Sequence, residues 1–249
     1  MRDTTTLLRR MIEESRRISV FTGAGISTES GIPDFRSPGG VWSRERPIPF
    51  DAFLASEAAR QETWRRRFAL EPILRAARPN RGHAAVAALV ATGRTEAVVT
   101  QNIDGLHQAS GVPDAQVIEV HGNTTWAACL DCGRRHEIAD LAAAFAADGR
   151  APRCDRCGGL VKTATIAFGQ AMPAAAMARA EATMTAAELC LVVGSSLVVW
   201  PAAGLPVAAK QAGAVLVIVN RAPTPLDEMA DLVLRGEIGA VLGEAVGVQ

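Results

Sequence analysis

The chain lacks tyrosine altogether, and aromatic residues of every kind make up 4% of it, which leaves no basic-aromatic stripe for stacking nucleic-acid bases. It also lacks an excess of either charge. Basic and acidic residues number 26 each, so no global field draws the protein to nucleic acid or to an anionic membrane. No apolar run reaches membrane-spanning length. The opening MRDTTTLLRRMIEESRR has no apolar core of the signal-peptide kind and carries acids unlike a transit peptide. Its Leu7, Leu8, Met11 and Ile12 are instead spaced for an amphipathic helix. Internal repeats, low-complexity tracts and flexible linkers are absent as well. These absences favour a soluble cytoplasmic enzyme, in a reducing compartment where paired cysteines more often bind metal or carry redox chemistry than form structural disulfides.

What remains is an alternation. The short β-branched runs ISVF, EAVVT, QVIEV, LCLVV, VLVIV and DLVL are separated by Ala-rich or amphipathic stretches of helical length. That pattern predicts an α/β fold with a mostly parallel sheet and helices on both faces, and the uninterrupted apolar runs suit strands buried on both sides. At 249 residues one large domain with a small appendage fits better than two full domains. Two regions break the rhythm: a helical and loop insertion rich in Arg, Pro and Trp at 37–80, and a module at 123–165 that holds all the paired cysteines around EIADLAAAFAADG.

VFTGAGISTESGIPDF, residues 20–35, runs from a strand straight into glycines. A redox dinucleotide fold would show G-x-G-x-x-G and then a second strand ending in an acid about 20 residues on. Here Gly23 and Gly25 stand, but position 28 is Thr, and residues 38–50 contain three prolines and no apolar run. The loop still suits phosphate, because glycines let backbone approach and a following helix presents free N–H groups. A plain tight turn is the other reading. Asp34, Phe35 and Arg36 then add a carboxylate, an aromatic lid and a cation.

Gln101, Asn102 and Asp104 follow the strand EAVVT at its carboxyl end, where ligands sit in open α/β sheets. Asn102 or Asp104 as a helix N-cap is the simpler alternative, but capping alone does not account for three polar residues followed by Gly105 and His107. His121 closes the next strand and precedes Gly122. A strand-end histidine is commonly structural; beside the glycine loop it suits accepting a proton from a sugar hydroxyl. Cys129-Leu-Asp-Cys132 and Cys154-Asp-Arg-Cys157 repeat a C-x2-C knuckle across 21 intervening residues. Four thiolates complete tetrahedral zinc with no position open for water, so the metal would hold a fold; a redox pair is the alternative that the duplication disfavours. Cys190, within LCLVV, reads as a small buried apolar residue.

GAGIST, GIPDFRS, PNRGH at 79–83, TQNIDGLH, VHG at 120–122, the two cysteine pairs, GSSL at 194–197 and VN at 219–220 together resemble the sirtuin family of NAD-dependent protein-lysine deacylases, in the family's order over nearly the whole chain. The resemblance implies a Rossmann-like NAD-binding domain from 1–36, 81–122 and 166–249, a zinc-binding module at 123–165, and an acyl-lysine of a protein or peptide substrate threading the cleft between them. It implies that the dinucleotide is consumed. Gly23, Ala24 and Gly25 would meet its phosphates, and Asp34, Phe35 and Arg36 would form a cofactor loop. Gln101, Asn102, Ile103 and Asp104 would surround the nicotinamide and its ribose. Gly194, Ser195 and Ser196 would hold phosphate and ribose, with Asn220 and Arg221 on the adenosine side. His121 would deprotonate a ribose hydroxyl, assisted by Asn102 and Asp104, giving nicotinamide, O-acyl-ADP-ribose and free lysine. Phe168, Gly169 and Val198 would face the substrate, and Cys129, Cys132, Cys154 and Cys157 would hold one structural zinc.

Two departures bear on specificity. The family's F-G-E is Phe168-Gly169-Gln170 here, which removes a carboxylate near the peptide. Members preferring succinyl or malonyl lysine carry a Tyr-x-x-Arg pair, whereas RQETWRRRF places Thr63 and Arg66 at the equivalent spacing and resembles the class II branch. Arg66 on a solvated helix face is the competing reading. Acyl choice stays open, with acetyl the default and longer or branched acyl groups the alternatives. Mono-ADP-ribosyl transfer and non-catalytic NAD or ADP-ribose sensing are the alternative functions; Asn102, Asp104 and His121 together disfavour the sensor.

Overall fold

The computed structural model describes residues 2–34, 40 and 45–249. The six apolar runs become β1 (Ile18–Thr22), β2 (Thr95–Thr100), β3 (Val117–Glu119), β7 (Leu189–Val193), β8 (Val215–Val219) and β9 (Leu232–Leu234). They form one sheet in the order β3-β2-β1-β7-β8-β9, with every neighbouring pair parallel. All five positions of β1 and of β7 are buried, which is why their sequences show no polar alternation.

Successive side chains of one strand serve opposite faces. Val20, Leu191 and Val217 pack with Leu8 and Ile12 of α1 (Arg2–Glu14), Val86 and Leu89 of α5 (Arg81–Ala91) and Leu242 of α10 (Ile238–Val246). Phe21, Val192 and Ile218 pack on the other face with Ala180 and Met184 of α8 (Ala174–Thr185) and Leu205 and Ala209 of α9 (Gly204–Gln211). From β1 the strand order grows one way through β2 and β3, then the other way through β7, β8 and β9. The reversal leaves a crevice beyond the carboxyl ends of β1 and β7, where such sheets bind ligands.

Between the two halves lies an antiparallel sheet in the order β5-β4-β6, made of β4 (Gly122–Cys129), β5 (Arg135–Glu137) and β6 (Val161–Thr165), with α7 (Ile138–Asp148) beside it. The helices α2 (Phe50–Ala55), α3 (Glu57–Ala69) and α4 (Glu71–Ala76) come from the earlier insertion. Insertion and cysteine module, separate in the sequence, share one core. Trp64 of α3 is buried against Ala127, Ile138, Leu141 and Val161, and its indole N–H donates to the Val161 carbonyl at 3.2 Å. Arg67, also buried, donates through Nε to the Thr124 carbonyl at 3.0 Å. Among the described residues no helix is long and apolar enough to cross a membrane.

Candidate active site

Two loops open the crevice by touching. Gly23 N–H donates to the Val193 carbonyl at 3.1 Å and Gly25 N–H to the Gly194 carbonyl at 2.8 Å, joining the loop after β1 to the loop after β7. A Cβ on Gly25 would sit 2.8 Å from the Gly194 carbonyl oxygen and 2.9 Å from its Cα, so glycine there is demanded by the neighbouring loop. Thr28, which breaks the redox fingerprint, closes its own turn by donating Oγ1–H to the Gly25 carbonyl at 2.9 Å.

A cavity of about 430 Å³ begins at these loops and is lined by Gly23, Ala24, Gly25, Thr28, Asp34, Gln101, Asn102, Ile103, His121, Gly194, Ser195, Ser196, Asn220 and Arg221. Gln101 Nε2 donates to Ser195 Oγ at 2.7 Å, tying the tips of β2 and β7 together. Asn102 is buried and donates Nδ2 to Ser27 Oγ at 3.1 Å, and Ser27 donates in turn to Asp104 Oδ2 at 2.7 Å. The other oxygen of Asp104 accepts the Leu106 N–H at 3.0 Å, where the single turn α6 (Leu106–Ala109) starts. Asp104 thus does not line the cavity; it anchors the groups that do.

Beneath this floor His107 Nε2 lies 2.8 Å from Thr22 Oγ1, which donates to Thr100 Oγ1, which accepts the Asn102 N–H at 3.0 Å. Since the Thr22 proton is committed to Thr100, His107 donates through Nε2–H. Burial, reinforced by neighbouring His83, pushes His107 down to about 3; burial pushes His83 down to about 4, opposed by Asp104. Both rings are fully buried, with centroids 5.2 Å apart, and neutral imidazole is the form that such surroundings accept. Asn80 caps α5 through the Gly82 and His83 N–H groups and donates Nδ2 to the Ile26 carbonyl at 2.7 Å, so PNRGH also pins the loop after β1.

His121 joins both sides of the cavity. Its Nδ1 lies 3.1 Å from the Gln101 carbonyl oxygen. A carbonyl only accepts, so Nδ1 carries the proton and Nε2 is the basic nitrogen. Its backbone carbonyl accepts Ile166 N–H at 2.8 Å, which brings the segment after β6 against the ring. Gly122 follows at φ 73°, and a Cβ there would lie 1.9 Å from the Ala164 carbonyl oxygen.

Phe168 and Gly169 line the far wall, whereas Val198, Thr63 and Arg66 do not line the cavity. Thr63 bonds back to the Ala59 carbonyl at 2.8 Å. Arg66 donates to Glu62 at 2.6 Å and to the Arg46 carbonyl at 2.7 Å, and pairs with Glu45 at 3.1 Å. Hydrogen bonds from Arg65 and Arg66 hold the Glu62 carboxyl down to about 2. Arg65 and Arg66 are thereby engaged by acids and a backbone carbonyl of their own region, while Arg67 reaches Glu71 and the Thr124 carbonyl. Phe35 and Arg36 lie outside the described residues. Ile48, Thr165, Trp200 and Glu237 line the cavity without having been singled out in sequence. Trp200 stands three positions after the GSSL loop, whereas Ile48 and Glu237 carry no local motif.

The four sulfurs of Cys129, Cys132, Cys154 and Cys157 lie within 4.8 Å of one another, with Cys129–Cys157 at 3.5 Å and Cys132–Cys154 at 3.7 Å. Four thiolates around tetrahedral zinc stand roughly 3.8 Å apart, so the donor set fits. Backbone hydrogen bonding by Cys132 draws the Cys129 thiol down to about 7 against the opposing effect of burial.

The family model described as the Sir2 family matches residues 23–201. The chain belongs to the Sir2 family. Among sirtuin relatives, NAD-dependent protein deacetylase 1 of Bradyrhizobium diazoefficiens is 59% identical over 237 residues, covering 95% of this chain and 93% of that protein. An NAD-dependent protein deacylase of Ralstonia nicotianae is 44% identical, covering 94% of this chain and 92% of that protein. A solved Sir2–p53 peptide–NAD+ complex is 37% identical with a TM-score of 0.84, covering 96% of this chain and 95% of that one. The sirtuin fold therefore extends across the cavity and the four-cysteine module alike.

Proposed function

We infer that this chain is an NAD-dependent protein-lysine deacylase, acting on acylated lysine in proteins or peptides and transferring the acyl group to ADP-ribose. The observation that carries this is the position of His121, with Nδ1–H bound to the Gln101 carbonyl and the ring lining the same cavity as the glycine loops and Asn102. NAD would supply an anomeric carbon at which the acyl carbonyl oxygen of the substrate takes the place of departing nicotinamide. The protein's part is orientation and proton transfer: Gly23–Gly25 and Gly194–Ser196 offer backbone to phosphate, and Asn220 and Arg221 take the adenosine side. Gln101, Asn102 and Ile103 enclose the nicotinamide end and limit water there. Asp104 keeps Asn102 in place through Ser27. His121 Nε2 accepts the proton of a ribose hydroxyl, and water completes release of the lysine.

Cys129, Cys132, Cys154 and Cys157 hold one structural zinc, which acts through folding because no coordination position is left for substrate. A cytoplasmic location belongs to the same proposal, as does the absence of a nucleic-acid partner, the latter supported by the balance of 26 basic and 26 acidic residues. Mass spectrometry of an acetyl-lysine peptide incubated with NAD tests the reading: O-acetyl-ADP-ribose is expected. A peptide heavier by one ADP-ribosyl unit would make the chain a transferase, and NAD binding without turnover would make it a sensor.

A further inference from the structure

The cavity has two walls of different chemistry. Its ionisable lining residues among those described are Asp34, His121, Arg221 and Glu237, all from the loop after β1 or from the tips of the parallel strands and the start of α10. Arg221 and Glu237 further pair with each other at 3.3 Å. The facing wall comes from Thr165–Gln170 with Met172, from Pro47 and Ile48, and from Val199–Pro201, and among the described residues it contains no ionisable side chain.

Large apolar side chains stand exposed along this wall and its rim: Phe168 is 46% exposed, Val198 45% and Trp200 64%. The Trp200 ring and the Phe168 main chain are anchored. A Cβ on Gly204 would come 2.9 Å from the Trp200 ring, so the indole lies directly against that backbone and presents its outer surface. The Phe168 main chain is anchored through its carbonyl, which accepts Phe50 N–H at 2.9 Å. Gln170 spends its amide on the turn itself: Oε1 accepts Ala167 N–H at 3.1 Å, and its backbone N–H donates to the Ala167 carbonyl at 3.0 Å. A neutral, apolar rim gains from covering apolar surface and offers no partner to a charge that would have to shed water.

We propose that this rim docks acyl-lysine peptides carrying large apolar side chains beside the modified lysine, and that it does not sort them by charge. The proposal rests on the deacylase reading, since the chain that delivers an acyl-lysine to His121 passes over this rim. Its occupant is the substrate's own flanking residues, because the rim is continuous with the wall facing His121. The Trp200 indole, already packed against Gly204, loses little side-chain freedom when a partner covers it.

The test compares acetyl-lysine peptides whose flanking residues are Leu and Phe, Lys and Arg, or Asp and Glu, with nicotinamide release followed at low and high ionic strength. Apolar flanks are expected to raise kcat/KM about tenfold, through KM, the scale of covering part of one aromatic side chain. Both charged series should be alike and insensitive to salt. Trp200→Ala should remove most of the preference; Val198→Ser, at an exposed position, should weaken it and serves if Trp200→Ala folds poorly. Gln170→Glu should create a salt-sensitive preference for basic flanks of about threefold. Equal use of all three series, or a wild-type preference for basic flanks that salt abolishes, would overturn the proposal while leaving the deacylase reading intact. Failure of every peptide to turn over would overturn both.

Discussion

The parallel sheet buries an apolar cluster on each face, 22 residues on one side and 16 on the other, whereas the region built by α2–α4 and β4–β6 buries eight, two of them cysteines of the four-sulfur cluster. Clusters of the first size stand on hydrophobic burial alone, while one of the second size needs a staple. The sheet offers anchored strand tips, and the apolar wall is shared, Ile166–Gln170 following β6 of the smaller region and Val199–Pro201 following β7 of the sheet.

The largest expected effect is on the staple. Chelating zinc, or Cys154→Ser, should unfold the smaller region and abolish deacylation while the parallel sheet persists; hydrogen exchange resolved by segment checks this, and a Cys154→Ser protein with unchanged protection over 123–165 would erase the contrast. Next comes His121→Ala, which should leave NAD binding in place and lower kcat by roughly a hundredfold or more. Near-normal turnover would remove the imidazole from the reaction.

The third prediction concerns acid, and places the weakness of the larger region under its floor. Burial holds His83 down to about 4 and His107 down to about 3, below the ordinary imidazole value of about 6.5, so the unfolded chain binds the extra protons. Stability is therefore full above about pH 6.5 and falls as pH drops toward those folded values, by about 1.4 kcal/mol per pH unit for each imidazole. Denaturant midpoints between pH 7 and pH 4 measure it, and His107→Gln should flatten the slope. The smallest effect is at Asn80→Ala, which removes a helix cap and the tether to Ile26; about 1–2 kcal/mol of stability should go, with a rise in KM for NAD.

Much of this architecture was legible beforehand because it is local. All six β-branched runs lie in the sheet, since a strand buried on both faces writes itself as an apolar run. The paired cysteines were legible for the same reason, each knuckle being contiguous. What stayed hidden depends on partners far along the chain. Gly25 invites a phosphate reading, but its lack of a side chain is enforced by Gly194, and nothing near either residue announces the contact. Asp104 sits in a motif that suggests a ligand neighbour, yet its oxygens meet Ser27 and the Leu106 N–H, a division of labour visible only once β1 lies beside β2. Arg66 had two readings of equal standing, and Glu45, Glu62 and the Arg46 carbonyl supply its partners.

The junction at His121 and Gly122 sets terms for rebuilding the protein. One residue receives Ile166 on its backbone and Gln101 on its ring, and the next leaves no room for any side chain beneath Ala164. A chimera that replaced residues 123–165 with an unrelated metal-binding insert would inherit a working base only if its returning strand reproduced those few main-chain positions, whatever its own sequence. Grafts chosen for the geometry of that re-entry, not for likeness of composition, are the ones in which the imidazole would keep its aim.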